Sequence, residues 1–138
     1  MISSCNEVKT DKIISVSENR RTFRVNNSSS LSINKVEVDG CYISSGLKCD
    51  YLFEIIDKEI KQIFYVELKG KNIEHGIKQL EATIKYCLSV HKNIPKECYI
   101  VASRVPKSST SSQKLKKEFK RKNNIQLFID TKTKEIIV

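Results

Sequence analysis

The chain has no Cys-x-x-Cys spacing, no apolar run longer than a β-strand, no charged-then-apolar leader pattern and no internal repeat. The first absence removes zinc-finger and disulfide-framework readings. The five cysteines, Cys5, Cys41, Cys49, Cys87 and Cys98, form an odd set and are expected to be mostly reduced and buried as small apolar packing residues. The second absence removes a membrane span, which needs about 20 apolar residues in succession. With the third, a soluble, cytoplasmic protein is expected. No helix-turn-helix signal is present either, so nothing announces the reading of a base sequence.

What is present is positive charge: 25 Lys and Arg against 16 Asp and Glu give a net +9, a field that attracts polyanions such as nucleic acid. The charge is clustered. Lys114, Lys116, Lys117, Lys120, Arg121 and Lys122 crowd one short segment, Arg20, Arg21 and Arg24 another, and Lys69, Lys71 and Lys78 a third. Phosphate contact is one reading of the C-terminal cluster, and a solvated helix face is the other. At 138 residues a single domain spanning 1–138 is expected, with a core at about 36–130 and a poorly readable segment at 1–30.

Along the chain, Asn6 to Lys12 could begin a helix, Lys12 to Ser17 is strand-like, and Thr22 to Val25 alternates like an exposed strand. Val36 to Ile43 alternates around Asp39-Gly40, and Ser44-Ser45-Gly46 supplies a turn. Cys49 to Ile56 and Ile63 to Lys69 are rich in β-branched and aromatic residues around the polar turn Asp57-Lys58-Glu59, which predicts an antiparallel meander. The period then changes. Ile73, Ile77, Leu80, Ile84 and Leu88 form a helical stripe that Asn93-Ile94-Pro95 ends. A buried strand at Cys98–Ala102, a basic helix at Gln113–Lys122 and a strand at Ile125–Ile129 follow, the last able to pair with Glu135–Val138 through Thr131-Lys132. The expected fold is α/β: one mixed sheet containing the meander, flanked by helices.

Within the meander, Phe64, Val66 and Leu68 point to one side of the sheet and Glu67 and Lys69 to the other. Antiparallel pairing brings Asp50 beside Glu67 and Lys69, so the local sequence builds an acid-acid-lysine cluster.

Asp50, Glu67-Leu68-Lys69 and the helix after them resemble the core of the PD-(D/E)XK nuclease superfamily, which includes restriction endonucleases, archaeal Holliday-junction resolvases and RecB-type nuclease domains. The resemblance covers about Val36 to Ser103, and Cys49 stands where the signature has proline. It implies a restriction endonuclease-like core and a Mg²⁺-dependent phosphodiesterase in which Mn²⁺ can substitute. Asp50, Glu67 and the Leu68 carbonyl would be metal ligands, with Lys69 assisting the attacking water. Gln79, on the following helix, matches a glutamine that RecB-like members place near the metal. Tyr86 lies beyond the usual spacing of their tyrosine, and His75 lies near the strand end. Glu7, less well Glu18, and alternatively Glu37 or Asp39, are the candidates for the family's additional acidic residue.

Nucleic acid, DNA rather than RNA, is the implied partner, contacted by Lys71, Lys78, Lys117, Lys120 and Arg121. A homodimer would let two sites address two strands. Two other classes stand beside this one: a nucleic-acid-binding or assembly module that keeps the fold without turnover, and an unrelated basic domain in which Glu67 and Lys69 are a solvated ion pair.

Overall fold

The computed structural model describes residues 4–69, 72–104 and 109–138. Its elements are β1 (Asn6–Lys9), β2 (Ile13–Glu18), β3 (Arg21–Asn26), β4 (Ser32–Glu37), β5 (Tyr51–Asp57), β6 (Glu59–Lys69), α1 (Ile73–Tyr86), β7 (Lys96–Ala102), α2 (Ser109–Asn123), β8 (Gln126–Thr131) and β9 (Thr133–Ile137). A six-stranded mixed sheet has the order β1-β4-β5-β6-β7-β8. Its first three pairings are antiparallel and its last two parallel, as the crossovers through α1 and α2 require.

The predicted meander is β4-β5-β6, and the β5–β6 hairpin turns where the polar triplet stands, with Lys58 in the left-handed region at φ 69°. β4 ends at Glu37, earlier than the alternation suggested, and 38–50 is a loop with one bridge between Asp39 and Ile43. Gly40, at φ 81°, makes the turn there. α1 is capped by Asn72, whose side chain accepts the His75 amide. It ends at Tyr86 rather than running on through Leu88, which is 60% exposed. The chain turns away so that His91 can enter the core, where it meets Tyr65 (2.5 Å) and Glu54 (2.6 Å).

The sequence suggests one sheet, yet the described residues form two. β2, β3 and β9 form a three-stranded sheet in which β3 pairs antiparallel with β2 and parallel with β9. The physical reason lies in β5, β6 and β7, whose runs are apolar on both sides. Leu52, Ile63, Tyr65, Cys98 and Ile100 pack under the helices against Ile73, Leu80 and Phe119. The opposite side, with Phe53, Phe64, Val66, Tyr99 and Val101, needs its own cover, and Ile14, Val16, Phe23 and Val25 provide it. Phe23 lies 4.9 Å from Tyr99 and 5.4 Å from Phe53 between ring centroids. Thr22–Val25 is therefore not an exposed strand: Phe23 and Val25 are fully buried. Likewise β9 does not pair with β8 but crosses at Lys132 to β3.

Asn6 to Lys12 does not begin a helix: Asn6–Lys9 is the edge strand β1. Cys5 and Cys41 are joined in a disulfide, against the expectation of reduced packing residues, whereas Cys49, Cys87 and Cys98 are free and buried as expected. The bond ties β1 to the loop that precedes Asp50. Among the described residues no helix is long and apolar enough to cross a membrane.

Candidate functional site

β5 begins at Tyr51, opposite Val66, while β6 continues to Lys69 with β7 alone as its neighbour. The Leu68 amide is thus left without a β5 partner. The Asp50 Oδ2 takes that place, accepting the Leu68 N–H at 2.8 Å. In a strand the N–H and C=O of one residue point the same way, so the Leu68 carbonyl also faces the end of β5.

Asp50 is held from its other side as well. Its carbonyl accepts the amides of Val38 (2.9 Å) and Asp39 (3.4 Å). The Cys49 amide donates to Thr83 Oγ1 at 2.8 Å, Thr83 donates to the Gln79 carbonyl at 3.0 Å, and Gln79 Nε2 donates to the Lys48 carbonyl at 3.1 Å. Through these bonds α1 fixes the approach to Asp50. Gln79 is thereby placed as a clamp on the loop, and its buried Oε1 has no hydrogen-bond partner among the described residues.

Glu67, 2% exposed, lies on β6 opposite Ile100 of β7. Both carboxylates bear on Cys49. Its thiol is pushed far above the ordinary range, first by burial, with a lowering contribution from the Thr83 hydrogen bond and raising ones from Glu67 and Asp50. A buried thiol held protonated in this way is a packing group and not a nucleophile. Lys69 is the last residue of β6, in register with Ala102; its side chain, and all of Lys71, lie outside the described residues.

The donor set is oxygen only: the carboxylates of Asp50 and Glu67 and the Leu68 carbonyl. That is the kind of set hard divalent cations take, so these residues fit Mg²⁺ or Mn²⁺ by chemistry. Among the described residues no group of three or more His, Cys, Asp or Glu side chains is gathered that could hold a metal ion. Of the candidates for an added acid, Glu7 and Glu37 line one groove with Tyr51, and Glu18 acts on the same tyrosine. Glu7 is on β1, exposed and ion-paired with Lys9 at 3.0 Å, and β4 stands between that strand and β5. Glu37 pairs with Tyr51 in register and, with Glu18, contributes to raising the Tyr51 pKa after burial. Asp39 is in the loop.

Basic residues of α1 and α2 line two grooves that share Arg121. Lys117, Lys120 and Arg121 are exposed on the C-terminal half of α2, where with Lys116 they border a groove of about 550 Å³ beside Gln126 and Leu127. At 1.5 Å per residue, Lys117 is about 12 Å along the helix from Ser109, so this cluster lies toward the end of the sheet remote from Asp50. Lys78, exposed on α1, borders the other groove, which Arg121 and Lys122 also line together with Glu74, Glu81 and Glu118. His75 contributes its amide to the α1 cap, and Tyr86 is 58% exposed, edge-on to Tyr42.

Sequence reasoning missed a network that runs from half-buried Asn6 into the interior. Asn6 donates to Asn34, Asn34 to Glu54 (2.8 Å each), and Glu54 meets His91, which meets Tyr65. Burial pushes the Glu54 carboxyl upward, but the hydrogen bonds from His91 and Asn34 outweigh it and hold the pKa below its ordinary value. The one available signal was Glu54 itself, a carboxylate inside the apolar run Tyr51–Ile56. Compared with known proteins, the chain matches no family model, no curated protein and no solved structure.

Proposed function

We propose that the chain is a metal-dependent nuclease with a restriction endonuclease-like core that hydrolyses phosphodiester bonds, in DNA in preference to RNA. The observation that carries the reading is Asp50 locked onto the Leu68 amide at the end of β5–β6, with Glu67 the preceding residue of the same strand. The net charge of +9 supports a polyanionic substrate.

Asp50, Glu67 and the Leu68 carbonyl would hold one Mg²⁺ or Mn²⁺, which supplies polarisation of the phosphodiester and a lowered pKa for a bound water. The α1 clamp keeps Asp50 in place, so its carboxylate need not reorganise when substrate arrives. Glu67, enclosed by the sheet and helix, provides negative charge in a low-dielectric setting where a cation is held strongly. Lys69 is assigned the role of orienting the attacking water or balancing charge on the phosphate, and Gln79 that of positioning the loop. Lys78, Lys117, Lys120 and Arg121, together with Lys71, are assigned to outlying phosphates, and a homodimer would place two such sites on two strands. A cytoplasmic setting belongs to this proposal; there the Cys5–Cys41 bond would face reducing conditions.

The test is cleavage of labelled duplex, single-stranded and branched DNA and of RNA with Mg²⁺ or Mn²⁺, together with direct calorimetry of Mn²⁺ binding. Asp50→Asn, Glu67→Gln and Lys69→Ala are each expected to reduce cleavage by about 100-fold or more, the first two also weakening Mn²⁺ binding. Binding of nucleic acid without cleavage at any metal concentration would favour the non-catalytic module instead.

A further inference from the structure

We propose that Arg21, Ser103, Arg104 and Lys132 form a phosphate-binding site at the carboxyl ends of β7 and β8, distinct from the Asp50–Glu67 pair, that seats a neighbouring phosphate of the bound nucleic-acid strand. The inference rests on the nucleic-acid part of the reading above and adds residues that the charge clusters on α1 and α2 did not suggest.

Arg21 is 9% exposed, and arginines are seldom so buried unless a carboxylate pairs with them. Among the described residues no ion pair involves it. Its Nη1 donates to Ser103 Oγ at 2.9 Å, while its Nε is buried with no hydrogen-bond partner among the described residues. A guanidinium has five N–H donors in a planar fork, and a neutral hydroxyl answers one of them. Taking such a charge out of water without an opposite charge is costly, so the site is organised for an anion. Phosphate matches the fork bidentately, and the Ser103 hydroxyl, which accepts from Arg21, still has its own proton to donate to a phosphate oxygen.

The backbone brings further cations to the same place. The Thr22 amide donates to the Lys132 carbonyl at 2.8 Å, and the Lys132 amide to the Ala102 carbonyl at 2.9 Å, so the start of β3, the β8–β9 turn and the end of β7 are knitted together. Arg20 and Lys132 occupy those tight turns with φ of 66° and 67°; both are exposed, as is Arg104. Glu18 stands in register with Arg21 across the β2–β3 pair, but it is exposed and among the described residues forms no ion pair.

Its location relative to the carboxylates follows from register. Ala102 pairs with Lys69 on one side and Thr131 on the other, so Ser103 lies one strand spacing, about 5 Å, beyond the end of β6. By strand alternation Ser103 falls on the side of Tyr99 and Val101, covered by the second sheet, whereas Glu67 and Ile100 are in register on the other side. The acid pair and the arginine therefore flank one sheet edge from opposite sides. Phosphates recur every few ångströms along a strand, so a strand engaged at Asp50 and Glu67 presents another phosphate across that edge.

The experiment is fluorescence anisotropy of a labelled oligonucleotide with the full chain in EDTA, over a range of salt, which removes metal and cleavage from the readout. Arg104→Gln/Lys132→Gln, at exposed positions, is expected to reduce the slope of log affinity against log salt by about two, and Arg21→Gln to weaken binding about tenfold or more. A slope unchanged in the exposed double variant overturns the site, and no oligonucleotide binding by the wild type overturns its assignment to a nucleic-acid strand; if Arg21→Gln does not fold, the double variant decides alone. A parallel arm uses inorganic phosphate. Thermal stabilisation of the wild type but not of Arg21→Gln, without oligonucleotide binding, would assign the site to a free anion and overturn the strand assignment. Wild type that binds with the full slope, loses it in the double variant and never cleaves with Mg²⁺ would sink the nuclease reading and leave this site standing.

Discussion

Replacing Thr83 by Val tests whether α1 holds Asp50 in place. Thr83 is fully buried, and its Oγ1 accepts the Cys49 amide one residue before Asp50. Valine keeps the volume and removes the acceptor, stranding a buried N–H, which costs about 1–3 kcal/mol. The Gln79 carbonyl loses the hydroxyl as well, but it remains within the α1 ladder and contributes little to the change. A central value of about 2 kcal/mol corresponds to a fall in Tm of about 7 °C for a chain of this length. Thr83→Ser retains the hydroxyl and deletes one methyl, at about 1 kcal/mol. The expected order is therefore wild type, Ser, Val, with the Cys49 amide exchanging with solvent much faster in the Val variant alone. If the proposed nuclease reading holds, loosening the residue before Asp50 should also lower cleavage about 10–100-fold, with the loss restored in the Ser variant. A Val variant as stable as the Ser variant, with Cys49 still protected, would refute the clamp.

The remaining predictions concern the interior and the disulfide. Glu54 has a folded pKa held below its ordinary 4.5, so its contribution to stability is present above that value and is lost as pH falls through the lower folded value. Glu54→Gln should destabilise at pH 7 by about 1.5–3 kcal/mol and flatten the acid limb of a urea-midpoint profile below pH 4.5; an unchanged acid limb would show that the network carries no such linkage. Cys5→Ser/Cys41→Ser opens a loop closed across a separation of 36 residues, and the chain-entropy relation puts the loss at about 3–4 kcal/mol. Thermal unfolding with and without reductant checks this, and a reductant-insensitive wild type would contradict it.

The part of the site that was legible in sequence is the part built locally. Asp50 and Glu67 are joined by one hairpin whose turn, Asp57-Lys58-Glu59, is written in polar residues between apolar runs, so pairing follows from neighbours alone. The helix stripe from Ile73 and the crossover strand at Cys98–Ala102 were legible for the same reason: each has its own period. What was not legible depends on distant partners. Alternation in Thr22-Phe23-Arg24-Val25 says that one side is apolar, but not that β9 lies beside it and Tyr99 beneath it. His91 bonds residues 26 and 37 positions away, Arg21 one 82 away, and nothing near either residue marks it as internal. Cys5 and Cys41 gave no spacing signal because β1 and the loop come together only once β1 has paired with β4.

Several of these distant contacts, those of His91 apart, gather at one place in the fold. β6, β7 and β8 run parallel, so their carboxyl ends share one edge, the place where ligands bind in open α/β sheets. β5, antiparallel to β6, starts at that edge with Asp50; the Cys5–Cys41 bond restrains the loop entering it; β3, antiparallel to β2, returns to it with Arg21. An edge that needed only to close the fold would be best served by neutral caps, since buried charge without a partner lowers stability. Asp50, just before β5, and Glu67, on β6, stand at this edge, and Arg21, which among the described residues forms no ion pair, stands at it from the second sheet. Such an arrangement suits a ligand that carries both a bound cation and its own negative charge, as a metal-bound phosphodiester does. Binding should therefore be cooperative: Mn²⁺ affinity measured with a non-cleavable oligonucleotide present should exceed that of the protein alone, and Arg21→Gln should reduce the difference while leaving Mn²⁺ affinity without oligonucleotide unchanged.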